Sequence, residues 1–113
     1  MIIQSNINFV KDIDTPTVSK PSFNHNSDTL SIQVSGDFTS GLIHIEGRMN
    51  KAGNWVSLAG INLNDFNAVR NGITKAGLYE FSVVSVRELR ARVEAISGGK
   101  VSVFGSIIST EET

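Results

Sequence analysis

The residues that could do chemistry are few, and their spacing suits little of it. His25 sits in the polar stretch Asn24-His25-Asn26-Ser27-Asp28, and His44 lies on the polar side of an alternating run. Neither has a second histidine at metal-ligand spacing, so both read as solvated surface residues. The chain has no cysteine, which removes disulfides, thiolate nucleophiles and cysteine zinc sites. Asp12-Ile13-Asp14 and Asp28 offer oxygen ligands, but at the spacing of no defined calcium loop. No Gly-x-Ser-x-Gly elbow occurs, and spacing is silent on a Ser–His–Asp triad, whose members are distant in a chain. Gly98-Gly99-Lys100 lacks the earlier glycine and following helix of a phosphate loop, and reads as a hairpin turn. Glu46, Glu80 and Glu94 could pair as acid and base in glycoside chemistry. Their alternation with Arg48, Arg90 and Arg92 predicts cross-strand ion pairs on a wet sheet face instead. No catalytic residue, metal ligand or cofactor site is expected, and the chain reads as a binding or building part and not an enzyme.

The elements that position these residues are strands. Leu30-Ser31-Ile32-Gln33-Val34, Ile43-His44-Ile45-Glu46 and Tyr79-Glu80-Phe81-Ser82-Val83 alternate apolar and polar side chains. Leu89 to Ala95 and Val101 to Val103 do the same. A period of two puts alternate side chains on opposite sheet faces, one buried and one wet. No apolar period of helical type is sustained, and glycine-rich turns separate the runs, so the expected fold is all-β. An antiparallel β-sandwich, jelly-roll-like, fits the length. Asn50 to Asn54 is a hairpin-type turn, Phe38 plugs the end of the core, and Asn62 to Gly77 is a long loop with a strand fragment near Ile73. Phe104 and Ile108 share one face of the last strand while Val103 and Ile107 share the other, which predicts burial on both sides, as at an interface.

Residues 1–27 differ from the rest. They hold both prolines, Pro16 and Pro21, together with Ile2, Ile3, Ile7, Phe9, Val10 and Ile13. Two readings stand: a first strand near Ile7 to Val10, or an extended N-terminal arm that buries these side chains on a neighbouring subunit. The expected division is an arm over 1–27 and a β-sandwich over 28–113. Trp55 also has two readings. It is either in the core or at its edge, or a sugar platform with Tyr79 beside it.

With 113 residues the chain is one domain. A net charge of −1 argues against a dedicated nucleic-acid binder, which needs a basic excess to neutralise phosphate. No apolar run reaches membrane-spanning length. The start lacks the basic and apolar regions of a secretion signal, which places the protein in a cytoplasm unless another machine carries it out.

One pattern of turns and strands runs through Val34-Ser35-Gly36-Asp37-Phe38-Thr39-Ser40-Gly41, Ile43-His44-Ile45-Glu46-Gly47 and Gly53-Asn54-Trp55-Val56-Ser57-Leu58. It continues in Gly77-Leu78-Tyr79, Leu89-Arg90-Ala91-Arg92-Val93 and Gly98-Gly99-Lys100-Val101-Ser102-Val103. In this pattern the chain resembles small β-sandwich or jelly-roll structural proteins of tailed-bacteriophage virions. The resemblance implies a non-enzymatic virion component, found in the virion and, during assembly, in the host cytoplasm. A capsid decoration or cement protein is the first expectation. Its partners would be the major capsid protein or other virion proteins, and it would form a homo-dimer or homo-trimer. Ile2, Ile3, Ile7, Phe9, Phe104 and Ile108 would carry protein contacts. The alternative is a carbohydrate-binding or adaptor module of a tail or baseplate, with Trp55 and Tyr79 on the glycan.

Overall fold

The alternating runs pair into two antiparallel sheets in the computed structural model, which describes residues 2–24 and 27–110. The strands in chain order are β1 (Ile2–Ile13), β2 (Thr17–Val18), β3 (Ser22–Phe23), β4 (Thr29–Gly36), β5 (Ser40–Arg48) and β6 (Val56–Ser57). They continue with β7 (Gly60–Asn62), β8 (Ala68–Val69), β9 (Gly77–Ser82), β10 (Glu88–Ser97) and β11 (Val101–Thr110). One sheet has six strands in the order β1-β11-β4-β9-β7-β8. The other has the order β2-β10-β5-β6, with β3 also pairing β10. No helix occurs among the described residues. The expected all-β antiparallel class is the observed one.

The core is the set of inward positions the period of two predicts. Leu30, Ile32 and Val34 of β4 meet Ile43 and Ile45 of β5 and Leu89, Ala91 and Val93 of β10. Tyr79, Phe81, Val83, Val101, Val103 and Ile107 complete it, with Phe38 packed against one end. The fragment near Ile73 is a bridge: Ile73 and Ile43 exchange both backbone hydrogen bonds, at 2.7 and 2.9 Å.

Residues 2–13 are a strand of this fold and not an arm reaching a neighbour. β1 pairs β11 from Ile2↔Thr110 to Ile13↔Val101, with register shifts either side of Val10. Asp12 takes a positive φ of 51° in the second shift, where its N–H donates to the Ser102 hydroxyl at 2.9 Å. Phe9 and Val10 are each only 7% exposed, and Ile7 and Ile13 pack against the same core. The apolar residues of this segment thus have a partner in their own chain. The prolines come after it. Proline donates nothing to a ladder, and Pro16 and Pro21 precede β2 and β3, two short pieces on the free side of β10.

Phe9 lies over Gly105, where a Cβ would stand 2.7 Å from its ring and 3.2 Å from Leu30. Gly105→Ala is therefore expected to cost about 1–3 kcal/mol by overpacking, read as a lower urea midpoint at an unchanged slope.

Gly98-Gly99-Lys100 is not a hairpin turn. β10 and β11 belong to different sheets, so this segment crosses between them, beside the β4–β5 crossing. Gly98 and Gly99 have φ of 74° and 149°, values that favour glycine. The two crossings are tied by Lys100 N–H to Asp37 Oδ1 at 3.0 Å and Thr39 N–H to the Ser97 carbonyl at 3.1 Å. Asn50 to Asn54 does turn between paired strands, β5 and β6.

Candidate functional site

The outward face of β5 and β10 carries the charged residues, and the register decides which meet. Arg90 stands opposite Glu46 and Arg92 opposite His44. Glu46 Oε1 accepts from Arg90 Nε at 2.7 Å, and its Oε2 from Arg92 Nε at 3.0 Å. Arg92 Nη1 also donates to Glu94 Oε1 at 3.1 Å. Arg48 and Glu88, opposite each other, form a two-pronged pair at 3.0 and 3.3 Å. The predicted ion pairs of Glu46 and Glu94 exist, but Glu80 lies on β9 of the other sheet, opposite Ser31, and forms no ion pair among the described residues. Nor is the face wet, since Glu46, Glu88 and His44 are buried. Burial alone would raise the Glu46 carboxyl. The hydrogen bonds and charges of Arg90 and Arg92 outweigh it and hold the pKa below the ordinary carboxylate value. The exposed Glu94 is also lowered, first by its bond to Arg92 and then by His44.

His44 is not the solvated residue its alternation suggested. Its Nε2 lies 3.2 Å from Glu94 Oε1, and its Nδ1 3.4 Å from the Ser57 hydroxyl. A Ser57–His44–Glu94 chain is the nearest approach to a catalytic triad here. Its serine contact is at the long limit of a hydrogen bond, Glu94 is shared with Arg92, and Ser57 sits on a regular strand rather than a strained elbow. It reads as part of the ion-pair network.

Trp55 belongs to this face and not to the core. The guanidinium carbons of Arg48 and Arg90 each lie 4.3 Å from its ring centroid, a cation–π arrangement. The ring is half-buried beneath side chains that are themselves ion-paired. Tyr79, the second expected sugar contact, is 2% exposed and donates its hydroxyl to the Lys75 carbonyl at 2.6 Å. Burial first, and the charge of Asp65 second, push its phenol pKa up. The structure brings Trp55 and Tyr79 to no common surface: one lies on the outer side of the five-stranded sheet, the other points inward from the six-stranded one.

The outward face of the six-stranded sheet is different in kind. Across it the register sets Asn8, Phe104, Gln33 and Leu78 on one rung, and Asn6, Ser106, Ser31 and the exposed Glu80 on the next. Small serines beside Phe104, Gln33 and Leu78 leave an open groove of about 480 Å³. Phe104 is half-buried in its wall and Ile108 is exposed beyond it, so these two expected contact residues are at the surface. Phe9 is in the core and Ile7 packs against it. The side chains of Ile2 and Ile3, together with His25 and Asn26, lie outside the described residues.

One feature the sequence did not flag is the β7–β8 loop. Phe66 is 78% exposed and holds a positive φ of 60°. Its N–H donates to the Asn62 carbonyl at 2.7 Å, and Asn62 N–H to the Asn67 carbonyl at 2.9 Å. The Asn62 and Asp65 side chains accept from Asn64 and Asn67 N–H at 2.8 and 2.9 Å. The clustered Asn and Asp residues were a turn signal. That they would present an aromatic ring was not readable from them. No group of metal-ligating residues occurs among the described residues.

The architecture is shared with solved proteins. The crystal structure of SPBc2 prophage-derived protein YomS matches with a TM-score of 0.85 at 20% identity, over 96% of both chains. That of PBSX exported protein XepA matches with a TM-score of 0.85 at 18% identity, over 96% of this chain but 38% of that longer one. No curated protein sequence matches. The XepA family pattern matches residues 4–107, from near the start of β1 to the buried Ile107 of β11. The strands that build the sandwich are thus the ones the pattern describes, and the chain belongs to the XepA family.

Proposed function

We propose that this protein is a non-enzymatic component of a phage particle that docks on other virion proteins, most specifically a capsid decoration or cement protein. Phage origin is supported by the fold relatives, one prophage-derived and one a PBSX exported protein by name. The observation that carries the docking role is Phe66. An aromatic ring in the left-handed region costs about 1–2 kcal/mol relative to ordinary backbone. Here four hydrogen bonds of the loop hold it there, 78% exposed, in a stretch of chain that also exposes Ile61 and Leu63. A strained residue that the surroundings over-determine is a sign of function, and a preordered exposed aromatic is what anchors a protein interface. The charged residues on the outer face of the five-stranded sheet are spent on one another, so that face offers a partner little free charge.

Binding through a loop replaces binding through an arm. Removal of residues 1–21 would strip β1 from the sheet and unfold the protein, and so does not test docking. Phe66 does. Phe66→Asn relieves the backbone, since asparagine tolerates this conformation, and removes the ring. It is expected to leave stability equal or slightly higher and to weaken co-sedimentation with shells lacking the protein by about 30-fold, the effect of losing a hot spot. Unchanged binding of this variant to shells would overturn the loop as the docking element. Binding of the parent to isolated tails but not to shells would move the protein to the tail.

A further inference from the structure

We propose that the groove on the outer face of the six-stranded sheet is a binding site for a neutral oligosaccharide. The proposal does not rest on the decoration role; the groove does not include Phe66, although Leu63 at its rim belongs to the same loop region.

The two outer faces of the sandwich have opposite polar chemistry. On the five-stranded sheet the charged groups satisfy each other. On the six-stranded sheet the side chains of Asn6, Asn8, Ser31 and Gln33 are exposed and make no hydrogen bond among the described residues. Ser106 accepts from Gln4 Nε2 at 3.0 Å, which leaves its own O–H free to donate. None of the residues lining the groove is charged. Amides and hydroxyls both donate and accept, as sugar hydroxyls do, so the lining matches a polyhydroxyl ligand and offers no counter-charge to an acidic one.

The apolar part of the lining is placed to match. Phe104 and Leu78 lie on one rung with Gln33 between them, and the rung of small serines runs alongside. A pyranose has an apolar C–H face and a polar rim. Seated in the serine trough, it would lay that face on Phe104 and Leu78 and turn its hydroxyls to Asn6, Asn8 and Gln33. The groove volume of about 480 Å³ is in the range of small-ligand sites and holds a few sugar units. Because the trough is formed by strands with fixed register, it is preformed, and binding requires little reorganisation. Sites of this open kind bind weakly singly and gain through repetition on a particle.

The test uses the purified chain with chitotriose and maltotriose as neutral probes and trigalacturonate as the acidic one. Saturation-transfer NMR and an amide-shift titration read binding and location. A neutral trisaccharide is expected to receive saturation and to shift the amides of Asn8, Gln33 and Phe104, with a Kd on the order of 1 mM. Ser31→Tyr fills the trough from a solvent-facing position, so the fold should persist, and binding should weaken by about tenfold or more. Phe104→Ser removes the stacking surface and should do the same. Silence of both neutral probes at about 20 mM, shifts that map elsewhere, or undiminished binding by Ser31→Tyr would each overturn the site. Equal binding of trigalacturonate would overturn its assignment to neutral sugars.

Discussion

Asn24→Asp is expected to destabilise the protein more than Asn24→Ala does, although aspartate is the closer match in shape. Asn24 is buried where the chain enters β4. Its Nδ2 lies 3.0 Å from the Ser27 carbonyl, 3.1 Å from that of Val83 and 2.9 Å from that of Val86. Its Oδ1 accepts from Ser27 N–H at 3.2 Å, and its backbone N–H donates to the Arg87 carbonyl at 2.8 Å. One amide therefore joins the segment before β4 to the β9–β10 loop. Alanine leaves these carbonyls without their donor, at a cost of about 2–3 kcal/mol. Aspartate does worse, because it places a buried acceptor against three acceptors. At neutral pH the cost should reach about 4 kcal/mol or more. The introduced carboxyl should have its pKa raised by burial and by the facing carbonyls. Its protonated form regains one donor, so stability lost at neutral pH returns as pH falls through that raised value. Urea unfolding near pH 7 and near pH 5 should show the gap between Asp and Ala narrowing in acid. An aspartate variant as stable as the alanine one at neutral pH would remove the amide from this role.

Asn24 also shows where the sequence stopped being readable. The period of two in β4, β9 and the first part of β10 assigned the inward set correctly, because one face of each strand must meet the core and a slip of one residue would expose it all. Leu30, Ile32, Val34, Tyr79, Phe81 and Leu89 are all buried accordingly. Beyond Val93 a register shift turns the expected Ala95 outward and packs Ile96 on the core. What period alone cannot state is which strand neighbours which. Gly98-Gly99-Lys100 has hairpin composition, yet it carries the chain from one sheet to the other. The N-terminal segment misled for a related reason. Its prolines suggested an arm, but they only break up the chain after β1, while Phe9 fills the space that Gly105 leaves on β11. That complementarity joins residues almost a hundred positions apart and has no local signal. The polar positions of β5 and β10 looked wet because alternation reports only the direction of a side chain. Whether the outward face is covered depends on Arg48, Arg90 and Trp55 folding over it. Phe66 and the Ser31–Ser106 trough came from register and loop geometry in the same way.

The Glu46 network makes the second large prediction, and Trp55 reports on it. Glu46→Ala is expected to cost about 3 kcal/mol, near the lower end for breaking a buried ion pair, because its two arginine partners keep partial access to water, with side chains 22% and 30% exposed against 6% for Glu46. Glu46→Gln keeps one acceptor and should cost less. The folded-state pKa of Glu46 is depressed, so its charge contributes stability above the unfolded value near 4.5 and loses it as pH falls through the folded value. Stability of the parent should thus fall on the acid side of about pH 4.5, and the advantage over Glu46→Gln should shrink there. Arg90 links the network to the indole: it donates to Glu46 and lies over Trp55. Once Glu46 is gone, Arg90 has no carboxylate to fix it in that position. Tryptophan emission should then change in folded Glu46→Ala and Glu46→Gln at neutral pH. The same change should appear in the parent in acid, before global unfolding. An emission spectrum unaltered in both folded variants would mean that Arg48 alone sets the Trp55 environment. If the parent and Glu46→Gln lost stability identically in acid, the Glu46 charge would not be what holds this face together.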